Sequence, residues 1–222
     1  MNLSPRYIKD EHSKPTLSNV LNNFNHPFTY LFSGPGGWDK IYLCVNFHAN
    51  TDRMCKHPAF RDIVCSFSEA SDVLREQLAF DEGRNFFHRE IPDFEEAFAR
   101  RRLVVLNDLL NKAYWMYICD LFTSGTYHRN VIVILITQNL LQKWASTGTS
   151  LNNKYLVLFK KVRDMNQFAY LEAQLLPKVR NKLYESYFKA TLRPRRYKHL
   201  NLAQNNSEST YSLRKSPWCP LL

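Results

Sequence analysis

A chain of 222 residues is long enough to bury the core of one sizeable domain. Its 45% hydrophobic and 14% aromatic content excludes an intrinsically disordered chain, and no apolar run reaches the roughly eighteen residues of a membrane span. The net charge of +10 is one-sided: residues 1–150 hold 16 Lys/Arg and 16 Asp/Glu, whereas residues 151–222 hold 14 against 4, a balance suited to a polyanionic partner or to a basic solvated surface.

Residues 1–26 are polar, lack a secretory apolar stretch and read as a tail. Phe28-Thr-Tyr-Leu-Phe32 is β-prone and runs into the turn signal Ser33-Gly34-Pro35-Gly36-Gly37, after which a helix is predicted from Lys40 to Phe47. Ile63–Phe67 predicts a strand, Ser68–Leu78 a helix with Ser68 as N-cap, and Pro92–Arg100 a helix whose acids precede its bases. Leu103-Val-Val-Leu106 predicts a strand ending at Asn107-Asp108, followed by a helix with Leu109, Leu110, Ala113, Met116, Tyr117 and Leu121 on its apolar positions. Val131–Ile136 is the most apolar run and predicts a central strand covered on both faces. Tyr155–Phe159 is a further strand, Asp164–Leu176 and Lys178–Leu192 are helical, Tyr197–Leu202 is a last strand, and residues 203–222 read as a loose polar tail. Alternating strands and helices predict an α/β domain over residues 27–202 with a mainly parallel sheet, whose ligands bind at the carboxyl ends of strands.

Three segments at such strand ends carry chemistry. Gly34-Pro35-Gly36-Gly37-Trp38-Asp39-Lys40-Ile41 places Gly34 and Lys40 at the spacing of the phosphate loop G-x-x-x-x-G-K-[ST], in a strand–loop–helix context. There, backbone N–H groups cradle phosphates, the lysine reaches the β and γ phosphates, and the hydroxyl residue holds Mg²⁺. Asp39 stands at the glycine position and adds a negative charge, worth roughly 1–4 kcal/mol of repulsion at about 4 Å. Ile41 stands at the hydroxyl position and removes a metal ligand; alone, the segment is better read as a glycine-rich turn without a ligand. Leu103-Val-Val-Leu-Asn107-Asp108 has the form of a Walker B strand, with neutral Asn107 at the metal-binding acid and Asp108 at the acid that orients the attacking water. Without a ligand it is an Asn-Asp turn after a strand. Thr137-Gln138-Asn139 places a polar amide after the most apolar strand, as a γ-phosphate sensor or as a helix start capped by Asn139.

The order of these segments resembles the genome-packaging ATPases of Polinton/Maverick elements and adintoviruses, relatives of the poxvirus-type packaging ATPases in the FtsK–HerA superfamily. The matching stretches are FTYLFSGPGGWDK, LVVLNDLL, LFTSGTYHRNVIVILITQNLLQKW, SLNNKYLVLFKKVRDMNQFAYLEAQLLP and YESYFKATLRPRRYKHLNL, covering about residues 27–215. The resemblance implies a RecA-like P-loop domain that binds ATP and Mg²⁺, assembles into a homo-oligomeric ring and drives double-stranded DNA into capsids. It assigns Gly34, Gly36, Gly37 and Lys40 to the nucleotide, Asp108 to the second Walker B acid, Gln138 to the sensor and Arg129 to an arginine finger, which is otherwise a structural surface arginine. It also implies interaction with capsid proteins and a place in the host nucleus or the virion, with no membrane association.

Asp39, Ile41 and Asn107 all depart on the metal side, so hydrolysis is expected to be impaired. Each departure is reachable by one G→A or C→T change, which motivates the hypothesis of a decayed or domesticated element copy; intact neighbouring capsid and polymerase genes would count against it. The alternative function is a non-catalytic DNA- or capsid-binding protein. Lys160, Lys161, Arg163, Arg193, Arg195, Arg196 and Lys198 are candidate DNA contacts, or else a solvated or subunit-facing surface. The five cysteines are odd in number and form no CxxC pair, and are expected to be reduced, buried thiols rather than zinc ligands. No HExxH or GxSxG motif occurs.

Overall fold

A computed structural model describes residues 24, 26–36, 39–55, 62–67, 85–88, 101–109, 112–128, 130–138, 153–160, 165–175, 182–192, 196–202 and 212–214. Eight strands among them form one sheet: β1 (Thr29–Ser33), β2 (Asp62–Phe67), β3 (Asn85–His88), β4 (Arg102–Asn107), β5 (Val131–Thr137), β6 (Tyr155–Phe159), β7 (Tyr197–Asn201) and β8 (Ser212–Arg214). Their spatial order is β3-β2-β4-β5-β1-β6-β7-β8. Every pairing from β3 through β6 is parallel, while β6–β7 and β7–β8 are antiparallel. The α/β class with a mainly parallel sheet is therefore as expected.

All seven residues of β5 and all five of β1 are buried, the signature of central strands covered on both faces. Their alternation divides the core in two. On one face, Tyr30, Phe32, Val105, Ile132, Ile134, Tyr155 and Val157 pack with Leu43, Cys44 and Phe47 of helix α1 (Asp39–Ala49) and with Met54 of the short α2 (Thr51–Met54). On the other, Leu31, Val104, Leu106, Val133, Leu135, Leu156 and Leu158 meet Ile118 of α3 (Lys112–Asp120), Leu121 and Phe122 of a π-helical turn (Leu121–Gly125), Leu171 of the helix Met165–Leu175 and Leu183 of the helix Lys182–Ala190. Helix α4 (Thr126–His128) closes that segment; α5 is Met165–Leu175 and α6 is Lys182–Ala190. The chain moves one way across the sheet from β1 to β2 and the opposite way from β4 to β5. Right-handed crossovers then require α1 and α3 on opposite faces, where they lie.

Helices α5 and α6 are tied by a charge-assisted contact. The buried carboxylate of Glu172 accepts the backbone N–H groups of Leu183 (3.0 Å) and Tyr184 (3.3 Å), donors that the first turn of α6 leaves without helical partners.

Several expectations need correction. Met116 is 77% exposed, because α3 turns Ile118 rather than Met116 toward the sheet. Lys198 is 3% exposed and cannot be a surface DNA contact; β7 is an internal strand with α6 packed on it. The polar tail is not wholly loose, since Ser212–Arg214 extends the sheet against β7. Phe24, assigned to the N-terminal tail by its polar neighbours, is 4% exposed; it bridges to Cys55 and its ring packs on Phe28, Phe47 and Tyr155. Strand β3 was not anticipated, and the helices expected at 68–78 and 92–100 lie outside the described residues. Among the described residues no helix is long and apolar enough to cross a membrane.

Candidate functional site

The parallel register brings three strand ends to one level. Ser33 of β1 pairs with Thr137 of β5, and Asn107 of β4 pairs with Ile136. The next residues, Gly34, Gln138 and Asp108, therefore leave the sheet side by side at its carboxyl edge, where open parallel sheets bind ligands. Two backbone bonds continue the ladder past the strands: Gly34 N–H to the Thr137 carbonyl (3.2 Å) and Asp108 N–H to the Ile136 carbonyl (3.0 Å).

Gly34 is dictated by a neighbour. A β-carbon at this position would lie 2.5 Å from Cβ of Phe159, the last residue of β6, and 3.4 Å from its Cα, so any side chain would collide with the end of the adjacent strand. Phe159 is itself held in place: its carbonyl accepts the Tyr187 hydroxyl of α6 at 2.9 Å, and its ring packs on Tyr197. No local pattern marks Phe159 or Tyr187 as neighbours of the loop; the available signal is a glycine directly after a buried strand.

The loop bends back over its own lysine. Lys40, in the first turn of α1, is 5% exposed, and its ammonium donates to the carbonyls of Gly34 (3.0 Å) and Pro35. The charge is thus held against two backbone carbonyls at the start of the loop. Gly36 is exposed, and a β-carbon there would be 3.7 Å from Oε1 of Gln138. Gln138 Nε2 donates to Asp108 Oδ2 at 3.0 Å. The amide therefore spans the gap between the two motifs, its nitrogen toward the acid and its oxygen toward the loop. Asp108 has a φ of 54°, a left-handed conformation that Asp tolerates better than most residues and that turns the chain out of β4.

The departures from the phosphate-loop pattern have structural counterparts. Ile41 packs against the aromatic core, so its place is that of a core residue rather than a ligand. Asn107 is half-buried at the end of β4 and carries no charge. Asp39 opens α1, where a carboxylate favours the helix dipole even as it disfavours a phosphate; its side chain, like Gly37, lies outside the described residues. With a hydrocarbon at 41 and a neutral amide at 107, this donor set does not fit the Mg²⁺ that the loop pattern implies. Among the described residues no group of three or more His, Cys, Asp or Glu residues is placed to hold a metal.

Of the remaining predicted site residues, Arg129, Lys161, Arg163, Arg193 and Arg195 lie outside the described residues. Asn130, next to Arg129, has a φ of 53° and accepts a 2.6 Å hydrogen bond from His26. Lys160 and Arg196 are exposed and flank the Phe159–Tyr197 pair, so both project from the same carboxyl edge. Cys44, Cys55 and Cys65 are buried and form no disulfide, and burial pushes the Cys65 thiol up to about 12.

No family model matches this chain, and no curated protein gives a significant match to it.

Proposed function

We propose that this chain is a RecA-like P-loop protein of the DNA-packaging ATPase type, built to bind the phosphates of ATP and to act on double-stranded DNA as a ring, with hydrolysis impaired on the metal side. The observation that carries the reading is the meeting of Gly34–Lys40, Asp108 and Gln138 at the ends of three neighbouring parallel strands, with β5 between the loop strand and the acid strand. Parallel register alone brings these strand ends together; what supports the reading is that a lysine-bearing glycine turn, a carboxylate and a bridging amide stand there.

The chemistry available there is partial. Lys40 supplies a cation once an anion draws it from the Gly34 and Pro35 carbonyls. Asp108 supplies an acceptor able to orient a water, and Gln138 an amide that bridges acid and loop. A working NTPase also neutralises charge on the transferring phosphoryl group with a metal, for which Ile41 and Asn107 are unsuited.

The same closed geometry supports a second reading, a non-catalytic DNA- or capsid-binding protein that kept the fold. In the described arrangement the loop's cation is already satisfied by its own backbone and the acid by Gln138.

ATP turnover with Mg²⁺ and duplex DNA tests the phosphate-loop reading, measured on the natural protein beside an Asp39→Gly/Ile41→Thr/Asn107→Asp variant. Turnover by the variant alone is the expected result. Turnover by the natural protein that Lys40→Ala abolishes would make it a working motor, and a silent variant that also fails to bind ATP would refute the phosphate-loop reading.

A further inference from the structure

Helix α6 buries Leu183 and Tyr187 against the sheet, yet the adjoining face carries Tyr184 and Phe188 at 37% and 49% exposure, and Leu192, two residues past the helix end, is 57% exposed. Tyr184 and Phe188 stand at i and i+4, so they form an apolar stripe along the helix. The two rings lie 17° from parallel with centroids 6.3 Å apart, one helical turn from each other. Tyr184 is buttressed from below by Phe168 of α5, at 6.1 Å, and Phe168 in turn stacks on Tyr187 at 4.5 Å. The rings are thus held in position on the surface.

The surroundings of the stripe are cationic. Lys189 is exposed on the last turn of α6, one residue beyond Phe188. The Tyr187–Phe159 hydrogen bond brings this turn to the carboxyl end of β6, where exposed Lys160 and Arg196 flank the Phe159–Tyr197 pair. Glu185 is the exposed acid on the helix.

We propose that this face of α6, with the adjoining sheet edge, is a track for single-stranded nucleic acid: Tyr184 and Phe188 stack bases, and Lys160, Lys189 and Arg196 contact phosphates. Stacked aromatics interleaved with cations match unpaired bases on a polyanionic backbone. A duplex does not fit the rings, because its bases already stack on one another. A second copy in a two-fold contact fits poorly, because it would bring one cation-rich patch against another. The proposal uses no residue of the phosphate loop and stands or falls apart from the nucleotide reading.

The test is fluorescence anisotropy of the full chain with a labelled oligothymidylate of about 20 nucleotides and with a duplex of equal length. Tyr184→Ala/Phe188→Ala is expected to weaken oligothymidylate binding at least tenfold. Phe188→Trp, which keeps a stacking face, should retain it. Lys160→Ala/Arg196→Ala is expected to lower the slope of log affinity against log salt by about 1.4, roughly 0.7 per cation. Circular dichroism should stay unchanged, and Phe188→Ala alone, which leaves the Tyr184–Phe168 contact in place, serves as the control for packing loss at Tyr184. Unaltered oligothymidylate affinity in the alanine pair would overturn the proposal. So would an alanine pair that dissociates a sedimenting dimer, which would make the stripe a contact between copies.

Discussion

Phe159 stands where a side chain on Gly34 would have to be, 2.5 Å from the position of its β-carbon. Gly34→Ala must therefore displace the end of β6 or the start of the loop, at a cost of about 1–3 kcal/mol, as for overpacking elsewhere. Because Phe159→Gly removes the β-carbon that forms the obstacle, the double variant should be less destabilised than the sum of the two single variants. Urea denaturation of all four proteins in a double-mutant cycle reads this coupling. Strict additivity would mean that the two residues do not meet.

Lys40 is the cation available to a phosphate within the loop. ATP binding measured by calorimetry in the presence of a chelator should be weak in the natural protein and at least tenfold weaker in Lys40→Ala, about 1.4 kcal/mol or more. Equal affinity in the two proteins would place the nucleotide elsewhere.

The Gln138–Asp108 hydrogen bond is exposed, so Asp108→Asn should change folding stability by no more than about 0.5 kcal/mol. In the triple variant with restored loop and acid positions, the same substitution should lower kcat about a hundredfold or more, the scale of a general acid–base contribution. A large loss of stability with no kinetic effect would make Asp108 a structural turn residue.

Glu172 is a buried acceptor for two amides at the start of α6. Glu172→Ala leaves both donors without that partner and should cost about 1–3 kcal/mol, with faster hydrogen exchange at the Leu183 and Tyr184 amides. Glu172→Gln keeps an acceptor oxygen and should recover part of the loss.

The buried thiols make stability depend on alkaline pH. Burial, reinforced by neighbouring Cys65, holds Cys44 well above the usual thiol range, and burial alone pushes Cys65 up to about 12. An unfolded chain loses these protons near the ordinary thiol pKa while the folded chain keeps them. The stabilisation is thus complete below that value and is lost as pH rises toward 12, by up to about 1.4 kcal/mol per thiol per pH unit. Urea denaturation from pH 8 to pH 10 should show this decline, and Cys44→Ala/Cys65→Ala should flatten it. An unchanged slope in the double variant would assign the decline to other groups.

Periodicity alone determined much of the sheet. Runs such as Val131–Ile136 and Leu103–Leu106 are too apolar to lie anywhere but between two layers, and the turn at Ser33–Gly37 marks the end of β1. Local spacing likewise exposed the three candidate motifs, since a phosphate loop is written in eight consecutive residues. The order of strands, by contrast, is a matter of long-range pairing, and only the folded chain puts β5 between β1 and β4 and so sets Gln138 between Gly36 and Asp108. Composition also misjudged Phe24, Lys198 and Ser212–Arg214, because each is drawn into the fold by partners far along the chain: Cys55, the cover of α6, and the edge of β7. The same holds for the Gly34–Phe159 contact, where residues 34 and 159 meet through strand register and no local pattern records it.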